Sequence, residues 1–205
     1  MRRDCCSEVL PENSARTFTK PTSLVRRAFD DGLIPRNASV LEVGGGCLRN
    51  SSFLLTKGYQ VSVMELQPVV DRYREKYDQF RRIGGKLLTQ WPKPQAFDIV
   101  VSTFTLETIC RKDERYEHLN KLIWSLKKGG RLMLAVRGPK DVKTATRKGR
   151  KCGDGYITPL KTFIKPFTVR ELLRLLENRG IRIMRLYGGS RENEPKIIEI
   201  VAEKL

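Results

Sequence analysis

The sequence predicts an α/β domain: a mostly parallel, seven-stranded, doubly wound sheet with helices on both faces and a C-terminal antiparallel hairpin strand. Three observations carry this. Short apolar runs alternate with segments of helical spacing along most of the chain. An early run, Val40-Leu41-Glu42-Val43, leads straight into Gly44-Gly45-Gly46, a tight turn from strand to helix. The last two runs follow each other with no helix between them, which makes a hairpin.

In chain order, residues 1–21 are polar and irregular, punctuated by Pro11 and Pro21, and read as a tail or lid ahead of a single domain over 22–205. Thr22 to Leu33 has helical spacing at Leu24, Val25, Ala28 and Phe29 and ends at Pro35. The glycine turn is followed by a helix over Leu48–Lys57, stopped by Gly58. Gln60–Glu65 alternates as a strand. Pro68 opens a helix to Arg82 that carries Val69, Val70, Tyr73, Tyr77 and Phe80 on one face. Lys86–Leu88 is a short strand, Trp91-Pro92-Lys93-Pro94 a rigid connection, and Phe97–Ser102 a buried strand. Asp113–Leu126 is helical, Lys127-Lys128-Gly129-Gly130 stops it, and Arg131–Val136 is the next strand. Residues 137–167 show little periodicity, a length that marks a functional or mobile connection. Thr168 and Glu171 make a capping box for a helix to Asn178, and Ile181–Tyr187 with Lys196–Ala202 form the terminal hairpin.

Composition narrows the partners. The 205 residues include 40 Lys+Arg against 23 Asp+Glu, a net charge of +17, which implies attraction to a polyanion, nucleic acid first. No run approaches the roughly 18 apolar residues of a membrane span, and no apolar segment follows the N-terminal Met-Arg-Arg, so neither a span nor a secretory leader is expected. Cys5, Cys6, Cys47, Cys110 and Cys152 are scattered and lack zinc spacing, so no metal is expected; an odd count without a leader points to a reducing cytosol and a cytoplasmic protein. His118 has charged neighbours and reads as a surface residue.

The chemistry begins at the glycine turn, where backbone N–H groups converge with a helix N-terminus at the carboxyl end of a strand. Glu65 ends the second strand about 20 residues further on, the distance at which a carboxylate accepts hydrogen bonds from ribose hydroxyls. Together they predict a site for an adenosine-containing cofactor. Arg49 stands where a G-x-G-x-x-G fingerprint needs glycine, which argues against a nicotinamide cofactor.

With Phe97-Asp98-Ile99-Val100-Val101-Ser102 and Leu126-Lys127-Lys128-Gly129-Gly130-Arg131-Leu132 in order behind these two motifs, residues 22–205 resemble the class I, Rossmann-like, S-adenosylmethionine-dependent methyltransferases. The resemblance implies S-adenosyl-L-methionine as cofactor. Glu42, Gly44, Gly45 and Gly46 would border its methionine part, Glu65 and Leu66 its ribose, and Thr89, Gln90 and Trp91 its adenine. Ser102, Thr103 and Phe104 would face the sulfonium. Leu48 departs from the small residue that the family often has there, and Arg49 or Asn50 becomes a candidate partner for the cofactor carboxylate or the substrate, with helix-start capping as the alternative for Asn50.

Ser102–Ile109 matches neither the Pro-Pro-aromatic run of amino-methylating DNA enzymes nor the Pro-Cys of cytosine-C5 enzymes. Glu107 is the carboxylate nearest the expected methyl position, a candidate base whose other reading is a solvated helix-start acid. Arg137, Lys140, Lys143 and Arg147 in the basic segment 137–151 are candidates for phosphate contacts, and Tyr156 for stacking on a base. The expected function is methyl transfer to RNA or a related substrate. A small-molecule acceptor is the alternative, and a non-catalytic nucleic-acid-binding protein of the same fold is the third reading.

Overall fold

Alternate side chains on each central strand point to opposite faces, so apolar strands bury helices on both sides of the sheet. The structure is a computed structural model and describes residues 4–146, 148–188 and 195–205. Its strands are β1 (Ser39–Val43), β2 (Gln60–Met64), β3 (Lys86–Leu88), β4 (Phe97–Thr103), β5 (Leu126–Arg137), β6 (Arg150–Cys152), β7 (Gly155–Ile157), β8 (Phe163–Ile164), β9 (Ile181–Tyr187) and β10 (Ile197–Lys204). Its α-helices are α1 (Ser23–Asp30), α2 (Arg49–Thr56), α3 (Gln67–Arg72), α4 (Arg74–Arg82), α5 (Lys112–Ser125), α6 (Pro139–Thr146) and α7 (Val169–Glu177).

Seven strands form the main sheet in the order β3-β2-β1-β4-β5-β10-β9. The first five run parallel, and β10 lies antiparallel between β5 and β9, as the terminal hairpin requires. Val40, Ile99, Val101, Met133 and Ala135 bury against Leu24 of α1, Leu54 of α2 and Phe80 of α4. Their chain neighbours Leu41, Val100, Leu132 and Leu134 bury against Leu119 of α5 and Leu172 of α7. Each fully buried aliphatic side chain contributes about 1.5–3 kcal/mol, so the two faces fix the strand register.

Several elements differ from the sequence expectation. The helix expected from Pro68 to Arg82 is two helices broken at Tyr73 (φ −113°, ψ 29°), whose hydroxyl accepts a hydrogen bond from Thr17 Oγ1 at 3.3 Å. Lys127–Gly130 is not a plain stop. β5 starts directly after α5, and its register on β4 jumps from Phe97↔Leu126 to Ile99↔Arg131, which leaves these four residues as a bulge with Gly129 at φ +74°. The expected capping box is half formed: Thr168 Oγ1 accepts from the Glu171 N–H at 3.1 Å, while the Glu171 carboxylate pairs with Lys165 Nζ at 2.9 Å.

Residues 137–167 are not wholly irregular. They hold α6 and a small sheet in the order β6-β7-β8, whose strands of two or three residues are too short to show a period. Residues 5–14 make two 3-10 turns. The cysteines, scattered in the sequence, are paired in space. Cys5 is bonded to Cys152 and Cys6 to Cys110, across 147 and 104 residues of chain, and Cys47 is the free cysteine. A reducing compartment therefore loses the support that scattered thiols gave it. No helix among the described residues is long and apolar enough to cross a membrane.

Candidate active site

The strand order reverses between β1 and β4, and ligands of open α/β sheets lie at the carboxyl ends of the strands there. A cavity of about 890 Å³ opens at that point. Gly44–Gly46, Glu65 and Leu66 form one wall, and Thr103, Phe104, Thr105, Arg137, Trp91 and His118 are also in the lining. Val9, Pro11, Ser14, Ala15, Arg16 and Phe18 of the N-terminal segment also line it.

The glycine turn is required by its neighbours. Gly44 has φ +80°, and a Cβ there would lie 2.1 Å from Thr105 Oγ1. Gly46, at φ +54°, donates its N–H to Glu65 Oε2 at 2.6 Å, and the Leu66 N–H donates to Glu65 Oε1 at 2.7 Å. Burial pushes the Glu65 carboxyl above its ordinary value, and the two N–H groups pull the other way. The carboxylate is thus held by backbone at the cavity wall with lone pairs left for a ligand. Leu48 and Phe104 have φ +65° and +61°, left-handed backbone that costs a non-glycine residue about 1–2 kcal/mol, and they flank the same turn. Leu48 is buried and starts α2, so its side chain packs under the helix where the family often has a small residue.

Glu42 is buried and accepts from Asn50 Nδ2 at 2.8 Å, the Ser51 N–H at 3.0 Å and the Ser51 hydroxyl. Desolvation raises its carboxyl to about 7 in spite of these bonds. Asn50 also donates to Thr103 Oγ1 at 3.1 Å and accepts from the Thr22 N–H and hydroxyl at 2.8 and 3.0 Å. Its two donors and two lone pairs are all used. Asn50 therefore ties β1, β4 and the start of α1 together and has nothing left for a ligand carboxylate. Arg49 differs: its guanidinium lies 4.4 Å from the Phe18 ring centroid and 5.7 Å from that of Phe104, with no ion pair among the described residues.

Other expected site residues divide. Trp91, Thr103 and Phe104 line the cavity, whereas Thr89 and Gln90 are exposed outside it. Ser102 is buried away from it, with an Oγ that has no partner among the described residues. Glu107 is neither a solvated acid nor a cavity base. It is wholly buried outside the lining, its carboxylate makes no hydrogen bond among the described residues, and the nearest cation, Arg137 Nε, is 3.8 Å away. Desolvation raises it to about 7. Arg137 reaches the cavity while pairing with Asp141. Lys140 is exposed outside the lining, and Tyr156 sits in the small sheet with Lys151 Nζ 4.5 Å from its ring centroid. Lys143 lies in α6, and Arg147 lies outside the described residues.

His118 is the residue that sequence reasoning missed. It lies edge-on to Trp91 with ring centroids 5.5 Å apart, and its buried Nε2 has no partner among the described residues. Burial lowers its pKa to about 4, so the ring is neutral at pH 7. Its spacing with Arg115, Leu119 and Leu122, all buried on α5, was the signal.

A family model described as a methyltransferase domain matches residues 14–186. Solved structures share the fold at low identity. An S-adenosylmethionine-dependent methyltransferase from Methanosarcina mazei matches at 18% identity and TM-score 0.69, over 91% of this chain and 99% of that one. The CcbJ methyltransferase of Streptomyces caelestis matches at 16% and 0.69, over 100% and 99%. The 1,6-didemethyltoxoflavin-N1-methyltransferase of Burkholderia thailandensis, solved with 1,6-didemethyltoxoflavin and S-adenosylhomocysteine, matches at 19% and 0.63, over 89% and 78%. No curated protein sequence matches the chain.

Proposed function

The chain belongs to the methyltransferase-domain family, and from that premise we propose that it transfers the methyl group of S-adenosylmethionine to a small-molecule acceptor. The observation that carries the acceptor class is the cavity itself. At about 890 Å³, with residues 9–18 along one side, it falls within the size range of small-ligand sites, about 300–1,000 Å³. The solved relative with bound 1,6-didemethyltoxoflavin supports the same choice.

The residues present fit the cofactor. Glu65 offers lone pairs to ribose hydroxyls, Gly44 leaves the turn free of a Cβ, and Arg49 is a cation without a carboxylate of its own. Trp91 offers a ring face, and His118 a buried nitrogen in need of a partner. The bound cofactor would supply a methyl group made electrophilic by its sulfonium. The chain's part is then positioning: two strained residues and an Asn50 network fix the wall, and Arg137 beside Phe104 offers charge and an aromatic face to the acceptor.

A nucleic-acid substrate is the second reading, favoured by the net charge of +17. Incubation with methyl-labelled S-adenosylmethionine and cell extract, fractionated by size and nuclease treatment, separates the two. Label in the small-molecule fraction is the expected result. Label that RNase releases from polymer, with an affinity that falls steeply as salt rises, would overturn the acceptor assignment.

A further inference from the structure

The fold gathers four of the five cysteines at one place on the rim of the cavity, from three stretches far apart in the chain. Cys5 and Cys6 come from the N-terminal segment, Cys110 from the loop between β4 and α5, and Cys152 from β6. The Sγ atoms of Cys5, Cys6 and Cys152 all lie within 4.8 Å of one another, and Cys110 Sγ lies 3.7 Å from Cys152 Sγ, the sulfur of the other bonded pair. Two independent disulfides have no need to touch. Four sulfurs around one Zn²⁺ do: a Zn–S distance of about 2.3 Å in a tetrahedron sets S···S edges of about 3.8 Å. We propose that these four cysteines, when reduced, form one tetrahedral tetrathiolate Zn²⁺ site that fastens the N-terminal segment over the cavity.

Cations lie close to the cluster, each with a partner of its own: Arg111, the chain neighbour of Cys110, pairs with Asp4 Oδ2 at 2.5 Å, and Lys151, that of Cys152, lies over the Tyr156 ring. Arg115 is buried beside them, bonded to Ile109 O at 3.0 Å and Asp154 Oδ2 at 2.6 Å, and its Nε has no partner among the described residues. Ile157, Phe163 and Val9 pack around the sulfurs and limit water access. Cys6 and Cys110 line the cavity, so the state of the cluster bears directly on the wall that meets the acceptor.

The interconversion balances. A dithiol reductant passes two electrons and two protons to each disulfide and is itself oxidised to its cyclic disulfide, leaving four thiols. Zn²⁺ then replaces four protons, which go to the buffer, and the centre carries a charge of −2. Nothing in this depends on methyl transfer, so its failure and the failure of the enzymatic assignment are separable.

The test uses the full chain, reduced anaerobically with a dithiol and offered Zn²⁺ or Co²⁺. About one metal ion per chain is expected after gel filtration, with the visible absorption of tetrahedral thiolate Co²⁺. Mass spectrometry after thiol alkylation should show Cys5, Cys6, Cys110 and Cys152 protected in the presence of Zn²⁺ and modified without it, with the buried Cys47 unaffected by the metal. Cys110→Ser with Cys152→Ser should abolish metal binding, and Cys47→Ser should leave the stoichiometry unchanged. Four alkylated thiols in the presence of Zn²⁺, or an octahedral Co²⁺ spectrum, would overturn the site. So would disulfides that resist the dithiol, since the cluster would then be a permanent staple. The wild-type spectrum stands even if the double variant fails to fold.

Discussion

The two walls of the cavity are built differently. The wall made by the glycine turn and Glu65 is local: Gly46 and Glu65 are joined across 19 residues, and Glu42 meets Asn50 and Ser51 across 8 and 9. The wall that would face the acceptor is assembled from afar, from Phe18, Arg137 and a cysteine cluster spanning 104 and 147 residues. One wall is fixed by backbone and a saturated side-chain network; the other depends on long-range ties that are able to change state. That division suits an enzyme with an invariant cofactor and a particular acceptor.

The largest effect is expected from breaking the local wall. Asn50→Leu removes the hub of a four-bond network and leaves Glu42 Oε1 and the Thr22 N–H without that partner, while Glu42 Oε2 keeps Ser51, so denaturant unfolding should show a loss of about 3 kcal/mol. An intact Cm would mean that the network is not what holds the wall.

Glu107→Gln sharpens the contrast from the other side. The folded carboxyl is raised to about 7 by burial, against an ordinary value of 4.5. Between these values the folded state binds the proton more tightly, so this group's contribution is full below about 4.5 and is lost as pH rises through 7. The variant should flatten that part of the pH–stability curve and be about 1–3 kcal/mol more stable than wild type at pH 8. An unchanged slope would place the titration elsewhere; Glu42, also raised to about 7, is the next group to replace.

Phe18→Ala acts on the distant wall. It removes the ring under Arg49, and the KM for acceptor or cofactor should rise about 5-fold, as the loss of a half-buried cation–π contact of about 1 kcal/mol implies, with stability little changed. Lys140→Ala is the smallest change. With a small acceptor in the cavity, kcat/KM should stay within about 2-fold, because an exposed lysine outside the lining is a long-range charge only. A large fall in activity would return the basic segment to the substrate.

What the sequence revealed follows the same division. Gly44–Gly46 and Glu65 are legible because a strand, a turn and the next strand's end are a local pattern, and the continuous apolar run Val40-Leu41 marks a strand buried on both faces. Cys5 and Cys6 looked like loose thiols because nothing local marks partners at 110 and 152. Glu107 looked solvated at a helix start, but the Lys165 N–H donates to its carbonyl oxygen at 2.9 Å and the chain after β5 closes over it. His118 was hidden by Glu117 and Lys121, which point outward and pair with each other. A helix-start asparagine after a glycine turn suggests a ligand contact or a cap, whereas the Asn50 side chain ties three elements together.

Calorimetric titration of S-adenosylhomocysteine into the wild-type chain and into Glu65→Ala tests the central assignment most directly. One-to-one binding to the wild type is expected, weakened about 10- to 100-fold in the variant, the loss expected when a carboxylate that accepts hydrogen bonds is removed. No heat with the wild type, or equal affinity for both, would contradict a cofactor held by the glycine turn and Glu65.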